Sequence, residues 1–375
     1  MRRVLHAVGR FLPRTETFIY TMVTHHQEYE ASVLCQSRLY DDEFPFPRVH
    51  VCPKPLSKRN VAWWVDASVE RATGRSPWRR AVETVLADLE PDLVHAHFGP
   101  NACELVDITA AAGIPLVASL YGVDAAVLPY LPQWRDAYER LFTAATLFFA
   151  EAPEMRRKVI AAGAPADRTV IQPIAIDMRR YPRWAPAPEP RVLFAGRFIE
   201  KKGLLDAIAA FDRARAVTPA ARMTIVGEGP DEADARTLID RLGCRSRVEF
   251  VGSTSHAELI AMLAATTVLI HPSATAVDGD SEGGAPTILL EAQAIGTPIV
   301  STRHADIPHV APEGPGVRLC AEHDVAALGA ALAEALEARK PSDDAHVAAH
   351  HSAPQAIARL EETYSRVKEA AASVR

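Results

Sequence analysis

Short runs of aliphatic and β-branched residues recur along the chain, with longer stretches of helical period between them. "RRVLHAV" (2–8), "ASVLC" (31–35), "DLVHAHF" (92–98), "PLVASL" (115–120) and "TLFFA" (146–150) form one set. Runs this short and apolar read as buried strands of a parallel sheet. Stretches such as "TETFIYTMVTHHQ" and "WRRAVETVLADLE" supply the helices between them. Strands alternating with helices predict a doubly wound α/β domain.

A second set follows: "RVLFAG" (191–196), "RMTIVG" (222–227), "RVEFVG" (247–252), "TVLIHP" (267–272) and "PIVST" (298–302). Between the sets lies "YPRWAPAPEP" (181–190), whose four prolines in ten residues rule out a continuous helix or central strand. The expected organisation is therefore a first domain over 1–180, a linker over 181–190, a second α/β domain over 191–350, and a C-terminal helix over 351–375 whose packing the sequence leaves open. With 375 residues, 48% of them hydrophobic, there is chain enough for two cores.

A formal net charge of −6 argues against a general nucleic-acid binder, so an anionic ligand has to meet a local basic site. The five cysteines are scattered, without a CxxC pair or zinc spacing, which fits a reducing, cytoplasmic setting. No segment approaches the roughly 18 apolar residues of a membrane span, and the apolar part of the N-terminal segment is too short for a secretory signal.

Ligands of open α/β sheets lie beyond the carboxyl ends of the strands, and three runs of the second set end in glycine: Gly196, Gly227 and Gly252. After Gly196, "AGRFIEKKG" sends Arg197, Lys201 and Lys202 over that edge, where arginine can clamp phosphate oxygens and lysine adds a compact charge. "SEGGAPTILLEAQAIGTP" (281–298) opens a helix without a polar cap. With Pro286 at the first helical position the cap falls on Ala285, and the free amides of the first turn are left for an anion. Glu291, inside that helix, is either a solvated carboxylate or a buried one that needs donors, such as a pair of ribose hydroxyls.

Taken in order, "AGRFIEKKGL", "IVGEGP" and "SEGGAPTILLEAQAIGTPIVST" closely resemble the motifs of the family 4 glycosyltransferases of the GT-B type. "FLPRTETFI" (11–19) and "HAHFG" (95–99) resemble the branch that builds exopolysaccharides such as colanic acid, so the likeness runs through most of the chain. The resemblance implies two Rossmann-like domains facing a central cleft. It further implies retaining, metal-independent transfer from a nucleotide-diphosphate sugar, with no cofactor, to a sugar or lipid-linked acceptor. Retention is commonly explained by attack on the same face, the leaving phosphate helping to take the acceptor's proton. By the same resemblance Arg197, Lys202 and Glu282 would be catalytic. Gly196, Gly227, Gly252, Gly283, Gly284, Ala285, Thr287, Ile288 and Glu291 would line the donor site, and Glu16, His97, Tyr121 and Asp124 the acceptor and sugar side.

Two departures from the family pattern stand out. Glu282 and Glu291 lie one residue farther apart than in relatives, and Tyr121 in "YGVD" stands where relatives carry histidine. His97 and Asp124 can equally be a packed histidine and a helix-capping aspartate. Glycosylation of a secondary metabolite, nucleotide-sugar 2-epimerisation and non-catalytic nucleotide-sugar binding are the alternative functions. The segment 54–80 carries seven Lys/Arg against two acidic residues, with Trp63, Trp64 and Trp78. It reads either as a helix with a solvated basic face or as a peripheral contact with the inner face of the membrane.

Overall fold

The computed structural model describes residues 1–54, 76–284 and 286–373. They form two units: one of residues 1–150, 158–172 and 356–375, the other of residues 151–157 and 173–355.

The first unit is built on a seven-stranded sheet of β1 (Arg2–Phe11), β2 (Tyr29–Arg38), β3 (Val49–Val51), β4 (Leu93–His97), β5 (Leu116–Leu120), β6 (Leu147–Ala150) and β7 (Thr169–Ile171). The strand order is β3-β2-β1-β4-β5-β6-β7, and every pairing is parallel. Every residue of β4 and β5 is buried, as an all-parallel sheet covered on both faces requires.

The second unit repeats the plan with β8 (Arg191–Ala195), β9 (Arg222–Val226), β10 (Val248–Gly252), β11 (Val268–His271), β12 (Ile299–Thr302) and β13 (Val317–Cys320). Its order is β10-β9-β8-β11-β12-β13, again parallel throughout. Side chains of β8 alternate between two cores: Val192 and Phe194 pack with Phe198, Ile208 and Phe211, while Leu193 and Ala195 pack with Leu289 and Ile295. That two-residue period is why an apolar run here must be a strand with a helix on each side. Two doubly wound α/β units are thus present, as the strand pattern predicts.

The expected boundaries shift. The chain passes between units at 172/173, and the helix Ala353–Ser373 joins the first unit from Ala356 onward. The proline-rich stretch 181–190 belongs to the second unit. Trp184 N donates to Ile295 O, Ala185 N to Ala264 O, and the Trp184 indole to Thr266 O. Prolines forbid a ladder but leave alternate amides free, and those amides are what tie the stretch down. Strands β3, β7 and β13 are not among the runs read from the sequence; β3 and β7 have only three residues each.

Of the basic stretch 54–80, residues 55–75, including Trp63 and Trp64, lie outside the described residues. Trp78 sits in the helix Pro77–Leu89, with the Lys54 ammonium 4.7 Å from its ring centre. No helix among the described residues is long and apolar enough to cross a membrane.

Gly227 shows why a strand should end in glycine. It has φ +131°, and a Cβ there would collide with the carbonyl oxygen of Gly196. Gly227→Ala is expected to destabilise the protein by about 2 kcal/mol or more. That is a fall of roughly 4–8 °C in Tm for a unit of this size; an unchanged melting curve would contradict the packing.

Candidate functional site

Strand order in the second unit reverses between β8 and β11, and the carboxyl ends of these two strands open the crevice where such sheets take ligands. Gly196 and Arg197 follow β8; His271 ends β11 and Ser273 follows it. Between them, Gly203 adopts φ +68°, and a Cβ on it would strike the carbonyl oxygen of Pro272. Only glycine lets the 200–203 turn press onto the end of β11, and this approach carries Lys202 to Glu282.

Glu282 is buried and multiply held. Its Oε1 lies 2.6 Å from Lys202 Nζ, accepts from Ser273 Oγ at 2.7 Å, and lies 3.5 Å from His271 Nε2. Burial would raise its pKa, but the Lys202 charge and the His271 contact outweigh it and hold the carboxyl well below its usual range. The Glu282 N–H donates to His304 Nε2 at 3.1 Å, so His304 carries its proton on Nδ1 and gives it to Glu322 at 2.7 Å. His271 is the unusual member: it is buried, burial lowers its pKa, and neither ring nitrogen has a hydrogen-bond partner among the described residues. A buried imidazole at a strand end whose nearest polar group, Glu282 Oε1, lies at 3.5 Å has hydrogen-bonding capacity left for a ligand.

The helix Thr287–Ile295 starts without a side-chain cap, as expected, but the cap residue is Pro286 itself, one position later than the sequence suggests. Ala285 lies outside the described residues. Gly284 N–H is not left open: it donates to Glu151 Oε2 at 2.8 Å, and a Cβ on Gly284 would crowd the Glu151 side chain. Gly283, Thr287 and Ile288 are half-buried beside this start, and Gly252, with φ +76°, ends β10. Lys201 turns away from the edge, bonding Asp280 and the Ser281 carbonyl at 2.9 Å each. Arg197 is exposed, on the edge itself.

Glu291 does not face solvent. It is buried, and its Oε1 accepts from His256 Nε2 at 2.8 Å and from the Tyr181 hydroxyl at 3.3 Å. Burial, then the Glu291 charge, pushes the Tyr181 phenol well up, which keeps it a donor. The helix therefore holds an oriented carboxylate in its interior with both of these bonds on one oxygen.

In the first unit, His97 and Tyr121 come together at the ends of β4 and β5, with His97 Nδ1 2.6 Å from the Tyr121 hydroxyl. Asp124 is buried and braces the backbone, accepting from Gly99, Tyr121 and Gly122 N–H groups at 2.8–3.0 Å. These bonds tie its carboxylate to the backbone at the ends of β4 and β5, and neither helix start there carries a side-chain cap. Glu16 sits at the start of the helix Thr17–Thr24 without capping it, and Phe18 packs on the Tyr121 ring at 5.0 Å. Among the described residues, His6, His95 and His97 are the group dense enough in ligand atoms to hold a metal. All six ring nitrogens already have protein partners within hydrogen-bond distance, so the geometry favours a hydrogen-bonded cluster.

Sequence reasoning missed His271, Ser273, Glu151, His256 and Tyr181. For His271 a signal existed, since "TVLIHP" ends a strand at the edge where ligands bind. Ser273 follows His271 two residues later and His256 opens the helix after β10, whereas Glu151 and Tyr181 come from segments with no motif of their own.

Known proteins resemble this chain in both halves. A model of the family described as glycosyl transferases group 1 matches residues 183–351, and one described as glycosyl transferase 4-like domain matches residues 17–175. The chain is 33% identical to a putative colanic acid biosynthesis glycosyltransferase of Salmonella typhimurium, over 65% of this chain and 61% of that protein. It is 31% identical to an amylovoran biosynthesis glycosyltransferase of Erwinia amylovora, over 64% and 60%. The chain thus spans about three fifths of the length of these relatives. A 2-deoxystreptamine N-acetyl-D-glucosaminyltransferase of Streptomyces fradiae is 26% identical over 78% of this chain and 71% of its own length. Among solved structures, Anabaena HepE in complex with UDP-glucose superposes with TM-score 0.76 at 18% identity, covering 98% of this chain and 100% of that one. Likeness at that identity is a likeness of fold.

The Glu282 network has a pH signature. Its folded pKa lies below the ordinary value of 4.5, so the stabilisation is complete above about pH 4.5 and is lost as pH falls through the folded value. Glu282→Gln is expected to cost about 1–3 kcal/mol at neutral pH. The difference from the wild type should narrow in acid; one that stays constant down to about pH 3 would contradict the network.

Proposed function

We propose a sugar-transfer reaction for this chain on the premise that it belongs to the family 4 glycosyltransferases of the GT-B type. The observation that carries the reading is the juxtaposition at the second unit's switch point. Lys202, Glu282 and His271, whose ring nitrogens make no hydrogen bond among the described residues although Nε2 lies 3.5 Å from Glu282 Oε1, stand beside a helix start with no side-chain cap.

In this reading the donor is a nucleotide-diphosphate sugar. Breaking its glycosidic bond sends negative charge onto the leaving diphosphate, and groups fixed before the reaction stabilise that charge without reorganising. Arg197 and Lys202 supply the cations, and the start of the helix Thr287–Ile295 supplies its dipole. Glu291, oriented by His256 and Tyr181, would receive ribose hydroxyls. Glu282 and His271 would meet the sugar, His271 gaining the hydrogen bonds it lacks. Transfer is retaining and needs no metal, because the cations of the site are the protein's own. Attack comes from the same face as the leaving group. The Lys202 pair keeps Glu282 a weak nucleophile and disfavours a double displacement.

The names of the colanic acid and amylovoran relatives support a role in exopolysaccharide biosynthesis, and in this reading the acceptor is a sugar or a lipid-linked sugar. A second reading, glycosylation of a secondary metabolite, draws on the longer match to the streptamine-modifying transferase.

Calorimetric titration with UDP, GDP and dTDP in magnesium-free buffer tests the donor site. One nucleotide should bind, and Arg197→Ala/Lys202→Ala should weaken it by about 100-fold or more, two charge-assisted hydrogen bonds being worth roughly 1.5–3 kcal/mol each. Equal binding by a folded double variant, or no binding of any nucleotide, would contradict the assignment.

A further inference from the structure

We propose that His304 and Glu322, in the second unit, are positioning residues of the donor site: they fix the main chain at Glu282, and through it the carboxylate that meets the donor sugar. Their role rests on the sugar-transfer reading for what Glu282 meets; the contacts that fix it lie wholly within the second unit.

Glu282 is held at both ends. Its carboxylate meets Lys202 and Ser273, and its amide N–H donates to His304 Nε2 at 3.1 Å. An amide needs a lone pair to donate to, so His304 carries its proton on Nδ1 and none on Nε2. Glu322 selects that tautomer: its Oε1 accepts from His304 Nδ1–H at 2.7 Å, while its Oε2 accepts from Thr275 N–H at 2.9 Å. Burial would raise the Glu322 pKa, but the Thr275 amide and His304 outweigh it and hold the carboxyl below its usual range. An ionised carboxylate can only accept, which leaves His304 one arrangement of its proton.

The bonds close into a ring. From the Glu282 amide they run through His304 and Glu322 to Thr275, along the chain to Ser273, and from the Ser273 hydroxyl back to the Glu282 carboxylate. Thr302 ties the ring to the end of β12 by donating its hydroxyl to the Ser273 carbonyl. Loops after β11, β12 and β13 are thereby joined at one residue. A main-chain shift at Glu282 would strain the Lys202 contact at 2.6 Å or the Ser273 bond at 2.7 Å.

His304 is buried, and the protein uses both of its ring nitrogens, so it acts through Glu282 and not on the substrate. Arg197 and Glu291, which in the sugar-transfer reading hold the nucleotide, share no hydrogen bond with His304 or Glu322 among the described residues. Losing the pair should therefore spare nucleotide binding and slow the reaction at the sugar. Such support matters because a displacement of about 1 Å at a reacting centre can cost about 100-fold in rate.

The tautomer is read by long-range proton–nitrogen NMR of the full chain labelled at histidine, at about pH 8, with the His304 signals identified by their absence from His304→Gln. Nδ1–H is expected, and Nε2–H would overturn the proposal. Rates are read as release of nucleoside diphosphate from UDP-glucose, UDP-galactose or GDP-mannose, whichever the wild type cleaves. His304→Phe keeps a ring but loses both bonds, so kcat should fall about 30-fold or more while the Kd of the nucleoside diphosphate stays within about threefold. His304→Gln, whose side-chain carbonyl can accept from the Glu282 amide, should restore kcat to within about fivefold of the wild type. Glu322→Gln offers one acceptor where Thr275 and His304 need two; it should lower kcat about tenfold and weaken the preference for Nδ1–H. Unchanged kcat in His304→Phe, equal losses in His304→Phe and His304→Gln, or a loss of nucleotide binding as large as the loss of kcat would each overturn the proposal. A wild type that binds no nucleoside diphosphate and cleaves no donor would instead overturn the sugar-transfer reading, so the two failures are told apart.

Discussion

The ion pair between Lys202 and Glu282 is the constraint around which the second unit's sheet edge is arranged. A carboxylate this buried is costly unless its charge is met, and here it is met by an ammonium at 2.6 Å and a serine hydroxyl at 2.7 Å. Bringing Lys202 there needs the left-handed Gly203, which in turn lets the 200–203 turn rest on Pro272. Holding Glu282 from the other side needs His304 in one tautomer, and Glu322 sets that tautomer. The pair therefore links the loops after β8, β11 and β12 into one polar layer over an apolar core.

The same accounting explains the other buried carboxylates. Glu291 has His256 and Tyr181; Asp124 has three backbone amides; Glu361 has three amides and a histidine. Glu291 draws its partners from two segments, Asp124 from its own turn and from Gly99, and Glu361 from the single segment 26–29. Asp124 rigidifies a turn, whereas Glu291 and the His271 imidazole retain bonding capacity beside a helix start. That contrast separates residues that hold the fold from those able to hold a ligand.

Much of this was legible in the sequence. Continuous aliphatic runs have no stable place except a covered parallel sheet, so ten strands and the two-unit plan could be read directly. The glycine at 227 and the uncapped helix after 286 were readable for the same reason: each residue type does one thing the backbone needs. What could not be read depended on three-dimensional convergence. Pro286 rather than Ala285 as the cap, Lys201 turned into its own loop, and Glu151 on the Gly284 amide are settled by packing. The C-terminal helix looked merely amphipathic, yet it delivers Glu361 and Tyr364 to histidines more than two hundred residues earlier in the chain.

The most direct test of the account is a crystal structure with the nucleoside diphosphate that binds. The diphosphate should lie at the carboxyl ends of β8 and β11, against Arg197, Lys202 and the start of the helix Thr287–Ile295, with the ribose on Glu291. A nucleotide bound elsewhere, with Glu282 and Lys202 out of reach of the phosphates and Glu291 away from the ribose, would contradict the central claim.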